Sequence, residues 1–298
     1  MTAAPRVRAA SGRHRLWPLC RQCCGVALDP GSARTRAWVA GRGLVVDVPT
    51  VTFPGAVYPV QRGTVVDVPG LARMLDRVIG RRLPRHARPL IVVTTPVLGG
   101  TGQRDAVRAA VRGLRPRGVL TVTGARAVAL AAGADPGRPR LVLDIGAHLT
   151  EVVLLADGAV LDARRTALGT GDLDAAGTTC AGMAETTAAM VAAVLRQDRT
   201  GLALEALRSG VLLAGGGALR PELTSRLTGR LHAPLHIVPA PHTAAVRGAA
   251  RLLEAAHAHP SATAASGGPH PHHPLPASVR RPPADREEED DRPAPGRR

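Results

Sequence analysis

Apolar and polar positions run along this chain in two successive blocks of similar order. Val26 to Asp29, Arg36 to Val39 and Leu44 to Val48 are short β-rich runs joined by Gly or small-residue turns, and they predict three strands. Leu71, Met74, Leu75, Val78 and Ile79 then recur at helical spacing. Leu90 to Thr95, closed by Pro96, predicts a buried strand. Ala106, Val107, Ala110, Val111 and Leu114 predict a further helix, Val119 to Val122 a strand, and about 125 to 133 a helix of small residues.

The second block repeats that order. Leu141 to Asp144, Glu151 to Leu155 and Ala159 to Ala163 predict three strands, and Met183, Thr187, Met190, Val191, Val194 and Leu195 a helix. Val211 to Ala214 predicts a strand that runs into Gly215, Gly216 and Gly217. Pro221, well placed for a first helical turn, opens a helix with Leu223, Leu227 and Leu231 on one face. Leu235 to Val238 and Ala245 to Ala256 predict a last strand and a last helix. Each block reads β-β-β-α-β-α, so the pattern predicts a duplicated α/β chain.

Both blocks carry one local signature where the first strand ends. Asp29-x-Gly31-x-x-x-Thr35 and Asp144-x-Gly146-x-x-x-Thr150 match in residue type and spacing. A tight hairpin with Gly lets backbone N–H groups approach an anion, and Ser32, Thr35 or Thr150 adds a hydroxyl. An Asp at the strand end is suited to holding Mg²⁺ through water. Two such hairpins face to face would grip a nucleotide's phosphates between two lobes. Either copy alone is better explained by the turn preference of Asp and Gly.

Composition changes the picture in part. The 298 residues carry a net charge of +16, and every one of the 39 basic residues is Arg. No Lys is present, which excludes a Walker A loop. The aromatics Trp17, Trp38, Phe53 and Tyr58 all lie in the first 60 residues. Recognition of single-stranded nucleic acid relies on aromatic stacking, and no concentrated Arg stripe is evident, so nucleic acid is not expected as a partner. Arg against no Lys reads as coding bias. No apolar run is long enough to span a bilayer.

The charge divides along the chain. Residues 1–24 hold five Arg and no acid and predict a disordered basic tail. Residues 257–298 hold nine Pro and the acidic run Glu287 to Asp291, and predict a second disordered tail with no net charge. The core between them carries 28 Arg against 17 acids. Cys20, Cys23 and Cys24 have no second ligand pair beyond His14, which argues against zinc. The cysteine spacing does not form a disulfide framework, and a reduced cytoplasmic setting is expected.

Several stretches together resemble the bacterial actin-like, rod-shape-determining proteins (MreB-like), within the wider actin, Hsp70 and sugar-kinase fold. Val26-Ala-Leu-Asp-Pro-Gly-Ser-Ala-Arg-Thr35 resembles the family's first phosphate hairpin, and Leu143-Asp-Ile-Gly-Ala-His-Leu-Thr-Glu-Val152 its second. Val39 to Val51, Gly63 to Asp67, Leu168 to Asp174, Leu213 to Leu219 and Pro241 to Leu253 continue the likeness in order. The resemblance implies one lobe from 25–132 plus 244–256 and another from 133–243. It implies ATP and Mg²⁺ as cofactors. Asp29, Gly31, Ser32, Thr35, Asp144, Gly146, Thr150, Gly215, Gly216 and Gly217 would bind nucleotide, with Asp29 and Asp144 on the metal. A helix following the triple glycine would turn its N-terminus to the nucleotide.

The departures bear on mechanism. The family's two outer subdomains are reduced to about a dozen residues between Pro49 and Gly63 and about 40 between Asp174 and Ala214. The second hairpin's Gly-rich turn becomes Ala147-His148-Leu149, whose side chains crowd a phosphate. Pro30 removes a donor from the first hairpin. The family's catalytic carboxylate falls at Gln103, which orients a water but takes no proton. The resemblance therefore implies a cytoskeletal protein of cell shape with at most weak ATP binding and little hydrolysis. Its implied partners are itself or a full-length relative, the membrane surface and envelope-synthesis proteins. An active small kinase or phosphohydrolase of the same fold is the alternative.

Overall fold

The structure is a computed structural model and describes residues 24–259 apart from 54–57 and 174–176. The basic tail, the second tail beyond residue 259, and His14, Cys20 and Cys23 lie outside the described residues. Cys24 is a free, half-buried thiol.

The first block forms β1 (Gly25–Pro30), β2 (Arg34–Val39), β3 (Gly43–Pro49), β4 (Val60–Gln61), β5 (Thr64–Val65), α1 (Val68–Ile79), β6 (Leu90–Thr95), α2 (Gly100–Ala110), β7 (Gly118–Thr123) and α3 (Gly124–Ala132). The second forms β8 (Arg140–Ile145), β9 (Thr150–Ala156), β10 (Ala159–Thr166), α4 (Cys180–Gln197), α5 (Leu202–Arg208), β11 (Val211–Ala214), α6 (Pro221–Leu231), β12 (Leu235–Ile237) and α7 (Ala244–Ala258).

Two five-stranded sheets result, ordered β3-β2-β1-β6-β7 and β10-β9-β8-β11-β12. In each, short hairpins make the first three strands antiparallel, and helical crossovers make the rest parallel. The period of two sorts each central strand. Val26, Leu28, Ile91 and Val93 pack with Leu71, Leu75 and Val107 from α1 and α2, while Ala27 and Val92 pack with Ala127, Val246 and Leu253 from α3 and α7. With helices on both faces these strands read as unbroken apolar runs.

In the second sheet Leu141, Leu143 and Ile145 face α4, α5 and α6, and Val142 faces Ala125 and Val128 of α3. Helix α3 therefore packs on both sheets. It crosses α7 in backbone contact, since a Cβ on Gly248 would stand 1.7 Å from the Ala127 carbonyl oxygen. This helix pair joins the lobes.

In the two stretches where the outer subdomains were expected to be shortened or absent, the described residues hold, besides the predicted α4, the β4–β5 hairpin and the seven-residue α5. Both were missed by the sequence pattern, which needs longer elements to show a period. Helix α7 runs two residues past the expected boundary, through the buried His257 to Ala258.

The expectation that Arg is nowhere concentrated in a stripe is corrected. Residues 73–117 contain eleven Arg against Asp76 and Asp105. The fold gathers Arg73, Arg77, Arg81, Arg85 and Arg115 around one hollow of about 930 Å³ at the end of α1.

Candidate functional site

Asp29 and Asp144 sit at the carboxyl ends of β1 and β8, where open α/β sheets place their ligands. Between the two sheet ends lies a cleft of about 320 Å³, lined by both hairpins, by Thr94, Thr95 and Pro96 after β6, and by Gly215 and Gly216 after β11. Its volume is at the lower end of the usual range for ligand pockets, about 300–1,000 Å³.

The two hairpins are built alike. Gly31 N donates to Arg34 O at 3.1 Å, and Gly146 N donates to Leu149 O at 2.8 Å. A Cβ would stand 2.8 Å from Arg34 O at Gly31 and 3.0 Å from Leu149 O at Gly146, so both turns need glycine for close approach. The same bonds consume two N–H groups expected to face an anion.

Seven of the sequence-predicted residues come together on this cleft: Asp29, Gly31, Ser32, Asp144, Gly146, Gly215 and Gly216. Four do not, each for a visible reason. Thr35 is fully buried and shares a 2.9 Å bond with Thr50 Oγ1, whose hydroxyl donates to Gly31 O. Thr150 is its counterpart, buried and donating to Leu168 O at 2.8 Å. Both threonines brace their hairpins from behind. Gly217 packs on Ile145, where a Cβ would meet Ile145 Cγ2 at 2.4 Å. A 3₁₀ turn over Gly216–Leu219 separates the glycines from α6, and no α6 residue lines the cleft.

Gln103 is the fourth. It is buried on α2 outside the cleft lining, with Oε1 accepting from Val65 N and Nε2 donating to Gly63 O, each at 3.0 Å. Its amide holds the β4–β5 hairpin. That hairpin closes the cleft mouth, where Gly63 N donates to Ser32 Oγ at 3.0 Å and Leu149 from the other lobe packs on Gly63. Arg62 in its turn reaches across to Asp172 at 2.9 Å.

Among the cleft residues that escaped the sequence reading, Arg36, Thr94 and Glu151 bear on the aspartates. Strand register was the available signal. Arg36 follows Thr35 and lies directly opposite Asp29, while Glu151 follows Thr150 and lies directly opposite Asp144. Thr94 Oγ1 donates to Asp29 Oδ1 at 2.6 Å.

The carboxyls are strongly perturbed. Asp29 and Asp144 keep some surface open to the cleft but are packed round by protein. Burial raises Asp29, opposed by the Thr94 bond and the Arg36 charge. Burial, then the Asp29 charge, raises Asp144 to about 6. Glu151 rises to about 7, first through burial and then through Asp144, against amide bonds from Val97 and Leu98. Val97 N donates to Glu151 Oε1 at 2.9 Å, a direct link between lobes.

The donor set fits the two implied cofactors unequally. Gly216 leaves open room on the cleft, its nearest neighbour to a Cβ being Thr170 Oγ1 at 3.9 Å, so one wall accepts a flat or polar ligand group. Mg²⁺ fits poorly. Among the described residues no three His, Cys, Asp or Glu side chains converge on a point, and the Arg36 cation acts on both aspartates.

The family profile described as MreB/Mbl protein matches residues 55–181 and 178–261, most of the chain. The chain belongs to the MreB/Mbl family. No curated protein sequence matches it. The fold of this MreB/Mbl member is shared by MreB5 of Spiroplasma citri bound to AMPPNP, with a TM-score of 0.71 at 15% identity over 79% of this chain and 97% of that one. A MamK double helical filament gives 0.65 at 14% identity, covering 78% and 98%. The ethanolamine utilization protein EutJ from Carboxydothermus hydrogenoformans gives 0.57 at 17%, covering 80% and 93%. These likenesses establish the actin-like fold.

Proposed function

We propose that this MreB/Mbl member is an actin-like cytoskeletal protein of cell morphogenesis that binds ATP weakly in the interlobe cleft and hydrolyses little of it. The observation that carries the reading is the pair of matched hairpins, with Asp29 and Asp144 at their bases, facing one another across that cleft. When bound, a nucleotide supplies a polyanion that ties the two hairpins together. The protein's part is to orient it. Gly31 and Gly146 shape the turns, Ser32 edges the phosphate side, and Gly215 and Gly216 leave one wall without side chains. Weakness follows from the small cleft, the N–H groups already used within the hairpins, and Leu149 over the mouth.

Self-association, or co-assembly with a full-length relative, is the mode of action proposed. The filament formed by MamK supports it. The Arg basin at the end of α1 favours an anionic surface such as the cytoplasmic face of a membrane, where envelope-synthesis partners would meet it. Among the described residues no helix is long and apolar enough to cross a membrane.

The test is high-speed sedimentation of the full chain, alone and mixed with a full-length family member, with and without ATP. Co-pelleting with the relative is expected. A chain that stays in the supernatant under every condition would rule the cytoskeletal reading out.

One observation favours phosphohydrolase chemistry as a second reading. Glu151 lies in the cleft with its pKa near 7, the value suited to a general base. Phosphate release by the wild type that disappears in Glu151→Gln would move the balance to that reading.

A further inference from the structure

The duplication places opposite charges at equivalent positions. The residue after the hairpin threonine is Arg36 in the first copy and Glu151 in the second. On the first sheet Arg36 stands between two acids, opposite Asp29 on β1 and opposite Asp47 on β3. Its side chain is only 14% exposed and lines the cleft.

Arg36 is poorly satisfied by its own sheet. Its Nε lies 3.4 Å from Asp47 Oδ1 but has no hydrogen-bond partner. Asp47 is already engaged by Arg34, through Nε to Oδ1 at 2.6 Å and through NH2 to the carbonyl at 2.7 Å. The Arg36 charge therefore acts on Asp47 and, from the same cleft lining, on Asp29 and Asp144, the acids on the two facing lobes.

Asp29 and Asp144, with Glu151 beside them, put three carboxyls in one desolvated cleft, and such a group demands a counter-charge. Either a divalent ion or a fixed guanidinium meets that demand, and here the guanidinium is part of the chain. Arg stays charged at all accessible pH values and binds phosphate through a planar fork of donors. A divalent ion entering the same space would meet a like charge with little water to screen it.

We propose that Arg36 is the resident cation of the cleft, taking the place of a divalent ion between Asp29 and Asp144, so that the site refuses Mg²⁺ and receives the phosphates of a nucleotide without it. The refusal of metal stands independently of nucleotide binding; the phosphate half rests on the function proposed above.

The experiment is titration of the full-length protein with Mn²⁺ as a spin probe, without nucleotide. The wild type is expected to take up no stoichiometric Mn²⁺. Arg36→Leu should gain a site, raising Mn²⁺ affinity by about tenfold or more. Asp144→Asn in that background should remove it, and Arg36→Lys should restore the refusal. Thermal melting checks each fold, and Arg36→Gln replaces Arg36→Leu if the latter does not fold. One Mn²⁺ bound to wild type and lost in Asp144→Asn would overturn the proposal, as would an Arg36→Leu variant that gains nothing. Calorimetry with ADP supplies the second arm, with equal affinity expected in Mg²⁺ and in EDTA for wild type and a Mg²⁺ requirement for Arg36→Leu. Mg²⁺-dependent binding to wild type would overturn the phosphate half. No ADP binding in either buffer would remove the nucleotide reading and leave the metal result to decide the rest.

Discussion

Asp144 on β8 and Glu151 on β9 are direct partners across an antiparallel ladder, which puts two carboxyls side by side in one enclosed site. Like charges so placed repel, and burial adds to the penalty. Both groups titrate above their ordinary range, at about 6 and about 7.

The folded chain therefore holds protons that the unfolded chain releases between about pH 4 and pH 7. A folded pKa above the unfolded value means stability falls as pH rises through that window. The melting temperature should be higher at pH 5 than at pH 8. Glu151→Gln should raise stability at pH 8 by about 2–3 kcal/mol and leave it unchanged at pH 4. Equal effects of the substitution at both pH values would contradict the assignment.

Gln103 offers a test of whether the family's catalytic position survives. Glu at 103 would set a carboxylate oxygen against Gly63 O, where Nε2 now donates. Loss of that bond in a buried setting costs about 1–3 kcal/mol. Gln103→Glu should lower the denaturation midpoint and leave phosphate release unchanged. Unchanged stability with faster release would return a catalytic role to this position.

Gly248 tests the joint between lobes. Gly→Ala in a helix interior ordinarily stabilises by about 1 kcal/mol. Here the new methyl would collide with the Ala127 backbone, and overpacking of this kind costs about 1–3 kcal/mol. Urea denaturation of Gly248→Ala should show a net loss. A stabilised variant would mean that α3 and α7 do not cross in contact.

The Arg basin predicts binding to anionic vesicles that fades with salt. Each basic residue near such a surface contributes about 1 kcal/mol, so Arg81→Glu and Arg85→Glu should each weaken co-sedimentation roughly fivefold or more. Equal binding to neutral vesicles, or no effect of either substitution, would remove the basin from the account.

The order of strands and helices was legible because each long element carries its own period. The duplicated Asp-x-Gly spacing located both hairpins. What the sequence could not show was contact across elements. Thr35 and Thr150 look like phosphate donors until Thr50 and the Leu168 carbonyl are seen to hold them. Gln103 falls where the resemblance puts the family's catalytic carboxylate, yet the short β4–β5 hairpin claims both ends of its amide. Arg36 and Glu151 went unremarked because only strand register sets them against the two aspartates. The Arg basin was hidden by composition, since an excess of Arg everywhere conceals where α1 and the segment around Arg115 gather it.

The central claim is that a nucleotide enters the cleft between the two hairpins. Gly216 allows the most direct measurement, because a side chain there projects into the cleft without striking the backbone. ATP should bind the full-length protein weakly at one site by calorimetry, and Gly216→Leu should abolish the heat while melting like the wild type. An undiminished isotherm in a folded Gly216→Leu protein, or no heat from the wild type, would contradict it.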